Sequence, residues 1–288
     1  MAKVEVHGID LEYDVLGDPG DPPMLLVMGL GAQLIDWPQE FCAALAGRGY
    51  RVIRFDNRDA GLSGGTEGGP PDLAAVLAGD FRTVPYRLAD LAADAAGLLD
   101  ALGVDAAHVV GASMGGMIAQ QLAVDFPDRV RSLCSIMSTT GDRSVGGSTP
   151  EALAMLTRPA APNRDVAIAN ALAVSRTIGS PGFPADPDEL LRRATAKVDR
   201  AYRPAGTARQ YAAILASPDR TGRLREVTVP TVVIHGADDP LVDVSGGRAT
   251  AAAVPGAELL VVPGMGHDLP RDAWPQIVDA IDRNARRG

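Results

Sequence analysis

The sequence predicts an α/β fold: a mostly parallel eight-stranded sheet flanked by helices, interrupted late in the chain by a helical insert. Three observations predict it. Short apolar runs alternate with amphipathic helical stretches, the rhythm of βαβ units. From about residue 141 to 226 that rhythm stops, and only Pro and Gly breaks and Ala/Leu/Arg-rich helical stretches remain. It then resumes for the last strands and helices, so the insert interrupts the sheet domain rather than following it.

The opening "KVEVHGIDLEYDVLG" alternates like a strand and reads as a hairpin turning near Gly8. "PMLLVMG" is a continuous apolar run, as a strand covered on both faces requires, and a helix over roughly 37–48 follows it. "RVIRFD" is the next strand and leads into the Gly-rich loop "NRDAGLSGGTEGGPP". Over about 86–102, Leu88, Leu91, Ala95, Leu98, Leu99 and Leu102 recur at three-to-four spacing, which predicts a helix. The strand "AHVVGAS" comes next. Its helix carries Met114, Ile118, Leu122 and Phe126 on one face and stops before Pro127. "VRSLCSIMS" is another strand. After the break come "TVVIHG", a helix near 245–253, "AELLVVPG" and a last helix near 272–286. The bounds divide the chain into a core of residues 1–140 and 227–288 and a helical lid of 141–226; an insert that long needs structure of its own.

Composition narrows the functions open to the chain. Hydrophobic residues make up 46% of 288 positions, enough for a full core. No apolar run approaches the roughly 20 residues of a membrane span. The first residues carry no apolar signal stretch, so a cytoplasmic protein is expected. A net charge of −9 argues against nucleic acid and anionic membrane as partners. Cys42 and Cys134 match no metal spacing and read as two buried free thiols. With aromatics at only 4%, a pocket should be lined by Leu, Met, Ile and Val.

Chemistry points to "HVVGASMGGMIAQ", residues 108–120, where a serine is hemmed in by Gly111, Gly115 and Gly116. A lone G-x-S-x-G is weak evidence; its position between a buried strand and an amphipathic helix is stronger, because a nucleophile elbow needs that context. The helix start also favours negative charge and offers free N–H groups. A serine hydroxyl needs a base. Of four histidines, His7 is in the hairpin, His108 in the motif strand and His235 at the end of "TVVIHG". His267 follows the last apolar strand, in a loop where parallel sheets place their sites. A carboxylate at a strand end must complete the set, and "IHGADDPLV" supplies one.

On "LLVMGLGAQLIDWPQEF", "VIRFDNRDAGLS", "VVGASMGG", "VVIHGADDPLV" and "VVPGMGHDLP" the chain resembles the α/β-hydrolase superfamily over essentially its whole length. Within it, the chain is similar to lidded carboxylesterases of the aclacinomycin methylesterase type. The resemblance implies Ser113 as nucleophile, His267 as base and an Asp of "GADDP" as the orienting acid. It also implies an oxyanion hole from the backbone N–H groups of Leu30 and Met114. Many relatives have His-Gly where this chain has Met28-Gly29, but a backbone donor survives that change. The family's acid stands three residues after the glycine, here Gly236, which selects Asp239 over Asp238 and Asp243. Pro240 restricts Asp239 to extended conformations and helps fix its direction. Asp142 is a remoter choice, because some members take their acid from the end of the earlier strand.

A serine nucleophile argues against the aspartate-using dehalogenases and epoxide hydrolases of this fold, and suits acyl transfer. The expected reaction is hydrolysis of a small to medium, largely apolar ester, with water as co-substrate and no metal or cofactor. Lactone or C–C bond hydrolysis on the same triad, and a non-catalytic ligand receptor, are the alternatives. Asp56, Arg58 and Asp59 are expected to form an ion pair that shapes a loop, and Trp37 to pack near a pocket mouth.

Overall fold

A computed structural model describes residues 1–288. Its strands are β1 (Ala2–Val6), β2 (Ile9–Leu16), β3 (Pro23–Val27), β4 (Arg51–Phe55), β5 (Ala107–Ala112), β6 (Val130–Ile136), β7 (Thr231–Gly236) and β8 (Glu258–Val262). They form one sheet in the order β1-β2-β4-β3-β5-β6-β7-β8. β1 and β2 make an antiparallel hairpin turning at Gly8, and β2 pairs antiparallel with β4. All remaining pairings are parallel. The eight strands lie where the apolar runs predict them.

Alternation along each strand feeds two cores, one on each face of the sheet. Leu25, Val27, Val109 and Leu133 face one; Met24, Leu26, Val110, Cys134 and Ile136 face the other. α1 (Gln39–Ala46) covers the second face. α2 (Leu73–Leu77) follows β4 and escapes the sequence pattern, because five residues give too few turns for a periodic signal. α3 (Leu88–Ala101) and α4 (Met114–Asp125) cover the first face. Strands sandwiched this way need apolar residues at every position, and β5 is buried along its whole length.

Residues 141–226 carry α5 (Pro150–Leu156), α6 (Arg164–Ile178), α7 (Pro187–Arg200), α8 (Pro204–Ala216) and α9 (Thr221–Leu224), and no strand. The polar breaks that interrupt the sequence there are helix starts. Thr149, Asn163 and Asp186 each cap a helix with a side-chain oxygen on a backbone N–H, satisfying donors a helix start leaves free. α6 and α7 bury only Ala167 and Ala194, so they form an outer layer. α10 (Val244–Ala253) and α11 (Trp274–Ala285) complete the two sides of the sheet. No helix is long and apolar enough to cross a membrane.

His108 serves packing: its Nδ1 lies 2.9 Å from Ser132 Oγ and its ring meets Tyr50 edge-on. Burial first, then the nearby Arg131 charge, lower its pKa to about 4. Cys42 and Cys134 are buried and unbonded. Trp37 corrects an expectation. It stacks on Phe41 and is wholly buried, so it backs the core rather than standing at a pocket mouth.

The sheet order also decides where a site can form. β3 has β4 on one side and β5 on the other, so successive connections leave it in opposite directions. Loops that diverge at such a switch point open a crevice at the carboxyl ends of the strands. The loops after β3 and β5 carry Gly29-Leu30 and Ser113.

Candidate active site

Ser113 stands between the last residue of β5 and the first of α4, with φ 58° and ψ −121°. A side chain in that region costs on the order of 1–3 kcal/mol and persists only where its surroundings enforce it. They do so here. The Ser113 N–H donates to the Ile136 carbonyl at 2.9 Å, and Ser138 Oγ donates to the Ser113 carbonyl at 2.9 Å. The three flanking glycines act by close approach. A Cβ at 115 would strike the Val27 carbonyl, one at 111 the backbone of Gly115, and one at 116 the Ser138 side chain. Glycine therefore lets α4 settle against β3, β5 and the loop after β6, and that settling holds the turn. The sharp turn and the projecting hydroxyl are one feature.

Two further loops reach the same point. Ser113 Oγ donates to His267 Nε2 at 2.8 Å, and His267 Nδ1 donates to Asp239 Oδ2 at 2.7 Å. Asp239 Oδ1 accepts the N–H groups of Leu241 and Val242, both at 2.9 Å. His235, fully buried in β7, donates Nε2–H to the Val242 carbonyl at 2.7 Å and brings the same nitrogen within 3.5 Å of Asp239 Oδ2. Burial pushes the Asp239 pKa up, but the His267 charge, the His235 and His267 edges and the Val242 N–H outweigh it. The carboxyl is held well below the usual carboxylate range. A fixed anion thus faces one nitrogen of an imidazole whose other nitrogen faces a hydroxyl.

Gly29 packs against the serine: a Cβ there would sit 3.0 Å from Ser113 Cβ. The loop after β3 is pinned by Asn57 Nδ2 donating to the Met28 carbonyl at 2.8 Å and by Gly31 N–H donating to Gln210 Oε1 at 2.8 Å. The Leu30 N–H between them has no acceptor in the protein, and the Met114 N–H, first in α4, has none either.

The other carboxylates lie elsewhere. Asp238 is exposed and accepts the Gly264 N–H at 2.8 Å, bracing the turn. Asp243 caps α10 and Asp142 caps its own loop through Ser144. Asp56, Arg58 and Asp59 do shape their loop, yet not by pairing with one another as expected. Asp56 bonds the N–H groups of Leu34 and Leu62 and pairs with Arg200, Arg58 pairs with Asp94, and Asp59 pairs with Arg209. Arg200 and Arg209 belong to α7 and α8, about 150 residues away in the chain. Only folding brings them there.

Sequence reasoning also missed the residues of 141–226 that touch the site. Thr207 and Gln210 of α8 adjoin Gly31, and Ile178 accepts the His267 N–H at 2.7 Å. Ser113 remains partly exposed between them. A concavity of about 370 Å³ between Phe81, Arg87, Asp142 and Pro218 includes none of Ser113, Asp239 and His267. Nowhere do three His, Cys, Asp or Glu side chains converge as a metal would require.

Asp239 has a depressed pKa. Its contribution to stability is complete above the unfolded carboxylate value of about 3.9 and fades only as pH falls below it. Circular dichroism should therefore show no loss of the folded signal between pH 8 and pH 5. A folded signal lost in that range by the wild type but kept by Asp239→Asn would refute it.

The alpha/beta hydrolase fold model matches residues 22–271. Rhodomycin D methylesterase DnrP of Streptomyces peucetius is 31% identical over 298 residues, covering 96% of this chain and 95% of the relative. 3-Oxoadipate enol-lactonase 2 of Acinetobacter baylyi is 28% identical, covering 83% and 80%. Among solved structures, the esterase RhEst1 of Rhodococcus sp. ECU1013 superposes with a TM-score of 0.77 at 23% identity, covering 99% of this chain and 98% of that one.

Proposed function

The chain belongs to the alpha/beta hydrolase family and is an esterase-type hydrolase; from that premise we propose that it cleaves carboxylic esters through an acyl-enzyme on Ser113. The observation that carries the reading is the unbroken run of hydrogen bonds from Ser113 Oγ through His267 to Asp239. In the first half-reaction Ser113 Oγ attacks the ester carbonyl carbon while its proton passes to His267 Nε2. Asp239 stays anionic and stabilises the imidazolium. The carbonyl oxygen becomes an oxyanion facing the Leu30 and Met114 N–H groups, and losing one such donor typically costs about 10²–10³ in rate. Collapse of the tetrahedral species breaks the bond to the alcohol oxygen, which leaves with the proton from His267. Water then repeats the sequence on the acyl-enzyme, its proton going to His267 and returning to Ser113.

Residues 141–226 act in this reading as the lid, and residues 1–140 with 227–288 as the core. The substrate is a small to medium, largely apolar ester. A methyl ester is the favoured form, supported by the similarity to rhodomycin D methylesterase. A lactone is the second reading, supported by the similarity to an enol-lactonase and requiring no change in the residues involved. The enzyme is expected to work in the cytoplasm.

A panel of p-nitrophenyl esters, bulky methyl esters and lactones tests both readings. Turnover should be highest on open-chain esters, with methyl esters cleaved to methanol and the free acid. Preference for lactones would select the second reading, and no hydrolysis of any member would refute both.

A further inference from the structure

The loop that carries His267 is not held by the sheet alone. Its clamp is the turn "IGSPG", residues 178–182, which follows α6 within 141–226. The His267 N–H donates to the Ile178 carbonyl at 2.7 Å, and the Gly182 N–H donates to the Gly264 carbonyl at 2.8 Å. Between these backbone contacts sits Ser180, only 7% exposed. Its Oγ accepts the Gly266 N–H at 2.9 Å and donates to Asp268 Oδ1. One hydroxyl thus ties down the residues on both sides of His267.

The two segments meet through glycine. A Cβ on Gly182 would sit 2.6 Å from Gly264 Cα, and one on Gly266 would strike the Gly179 carbonyl. Neither backbone could approach the other with side chains at those places. Such an approach needs a reason beyond covering the loop, which bulkier residues would do as well. The reason lies in the bonding pattern, where every bond ends within three residues of the imidazole.

We propose that Ser180, bridging Gly266 N–H and Asp268, is a positioning residue for His267. It sets the imidazole at the distance and angle from Ser113 that proton transfer requires. The proposal rests on the acyl-enzyme reading above. It makes the turn after α6 part of the catalytic machinery, although no atom of Ser180 need touch the substrate.

Ser180→Ala removes both the acceptor for Gly266 and the donor to Asp268. The expected result is a fall in kcat of about tenfold with KM changed by less than about twofold, because small misplacements of a catalytic group are costly. Labelling of Ser113 by a fluorophosphonate should slow in parallel. The far-downfield proton resonance of the His267–Asp239 hydrogen bond should shift or broaden. Asp268→Ala breaks the other end from a partly exposed position, so it tests the bridge even if the Ser180 variant does not fold. The double variant should be no slower than the worse single one, since both remove the same bridge.

Wild-type turnover and labelling in either folded variant would overturn the proposal. So would a lost rate with the proton resonance unchanged, or effects that multiply in the double variant. The acyl-enzyme reading is tested separately by Ser113→Ala: if that variant is inactive while Ser180→Ala is unaffected, only the positioning role falls.

Discussion

Replacing Ser113 by alanine leaves a folded protein whose ester turnover is lower by a factor on the order of 10⁵–10⁶, the loss seen when a triad nucleophile is deleted. The fold should survive because the bonds that hold this turn do not involve the hydroxyl. They run from the backbone N–H to Ile136 and from Ser138 to the backbone carbonyl. Alanine at φ 58° is strained to the same degree as serine, so the substitution adds no backbone cost. What disappears is the one atom donating to His267 Nε2. Residual rate should come from the Leu30 and Met114 N–H groups and from substrate binding, with no acyl-enzyme burst. Steady-state turnover of a p-nitrophenyl ester, circular dichroism and fluorophosphonate labelling check the three parts. A folded variant with a tenth of the wild-type turnover would remove Ser113 from the mechanism.

Asp239→Asn should lower turnover by a factor on the order of 10⁴. The carboxylate accepts from His267 Nδ1, which fixes the tautomer and leaves Nε2 free to accept from Ser113. An amide that turns its NH₂ toward the ring favours the other tautomer, with the proton on Nε2. The proton path from Ser113 is then closed. Asp238→Asn, one residue away, should cost far less. Asp238 is exposed, and its bond to the Gly264 N–H needs only an oxygen, which asparagine retains. Parallel assays of the two variants decide the matter, and a reversed order of effects would transfer the acid role to Asp238 with the rest of the triad intact.

The eight strands, the long helices of the core and the turn around Ser113 were legible in the sequence, whereas the choice of Asp239 as partner of His267 came from the family resemblance. Each of the former belongs to a local signal. Continuous apolar runs mark strands covered on both faces. Three-to-four spacing marks α3 and α4, and glycine around one serine marks a turn too tight for side chains. The neighbours of the site were not legible. Nothing near Asp59 in the chain says that Arg209 will neutralise it, and nothing near His267 says that Ser180 will brace its loop. His235 could be read as a structural residue, but not as a neighbour of Asp239 Oδ2. Trp37 went wrong for a related reason: polarity and spacing place an aromatic ring on a helix or loop, whereas its depth depends on what packs over it.

By itself, then, the sequence determined which segments become strands and helices, and which serine, histidine and group of carboxylates can stand at strand ends. Those outcomes depend on side-chain size, backbone freedom and polarity within a few residues, all of which the chain carries locally. Only the tertiary structure decided how the helices of 141–226 lie against the crevice and which of their side chains hold its loops. These contacts join residues some 90 to 180 positions apart. They form because burial of the two cores draws the segments together. Their partners are then selected by distance and direction in space, and those quantities leave no periodic mark in the order of the residues.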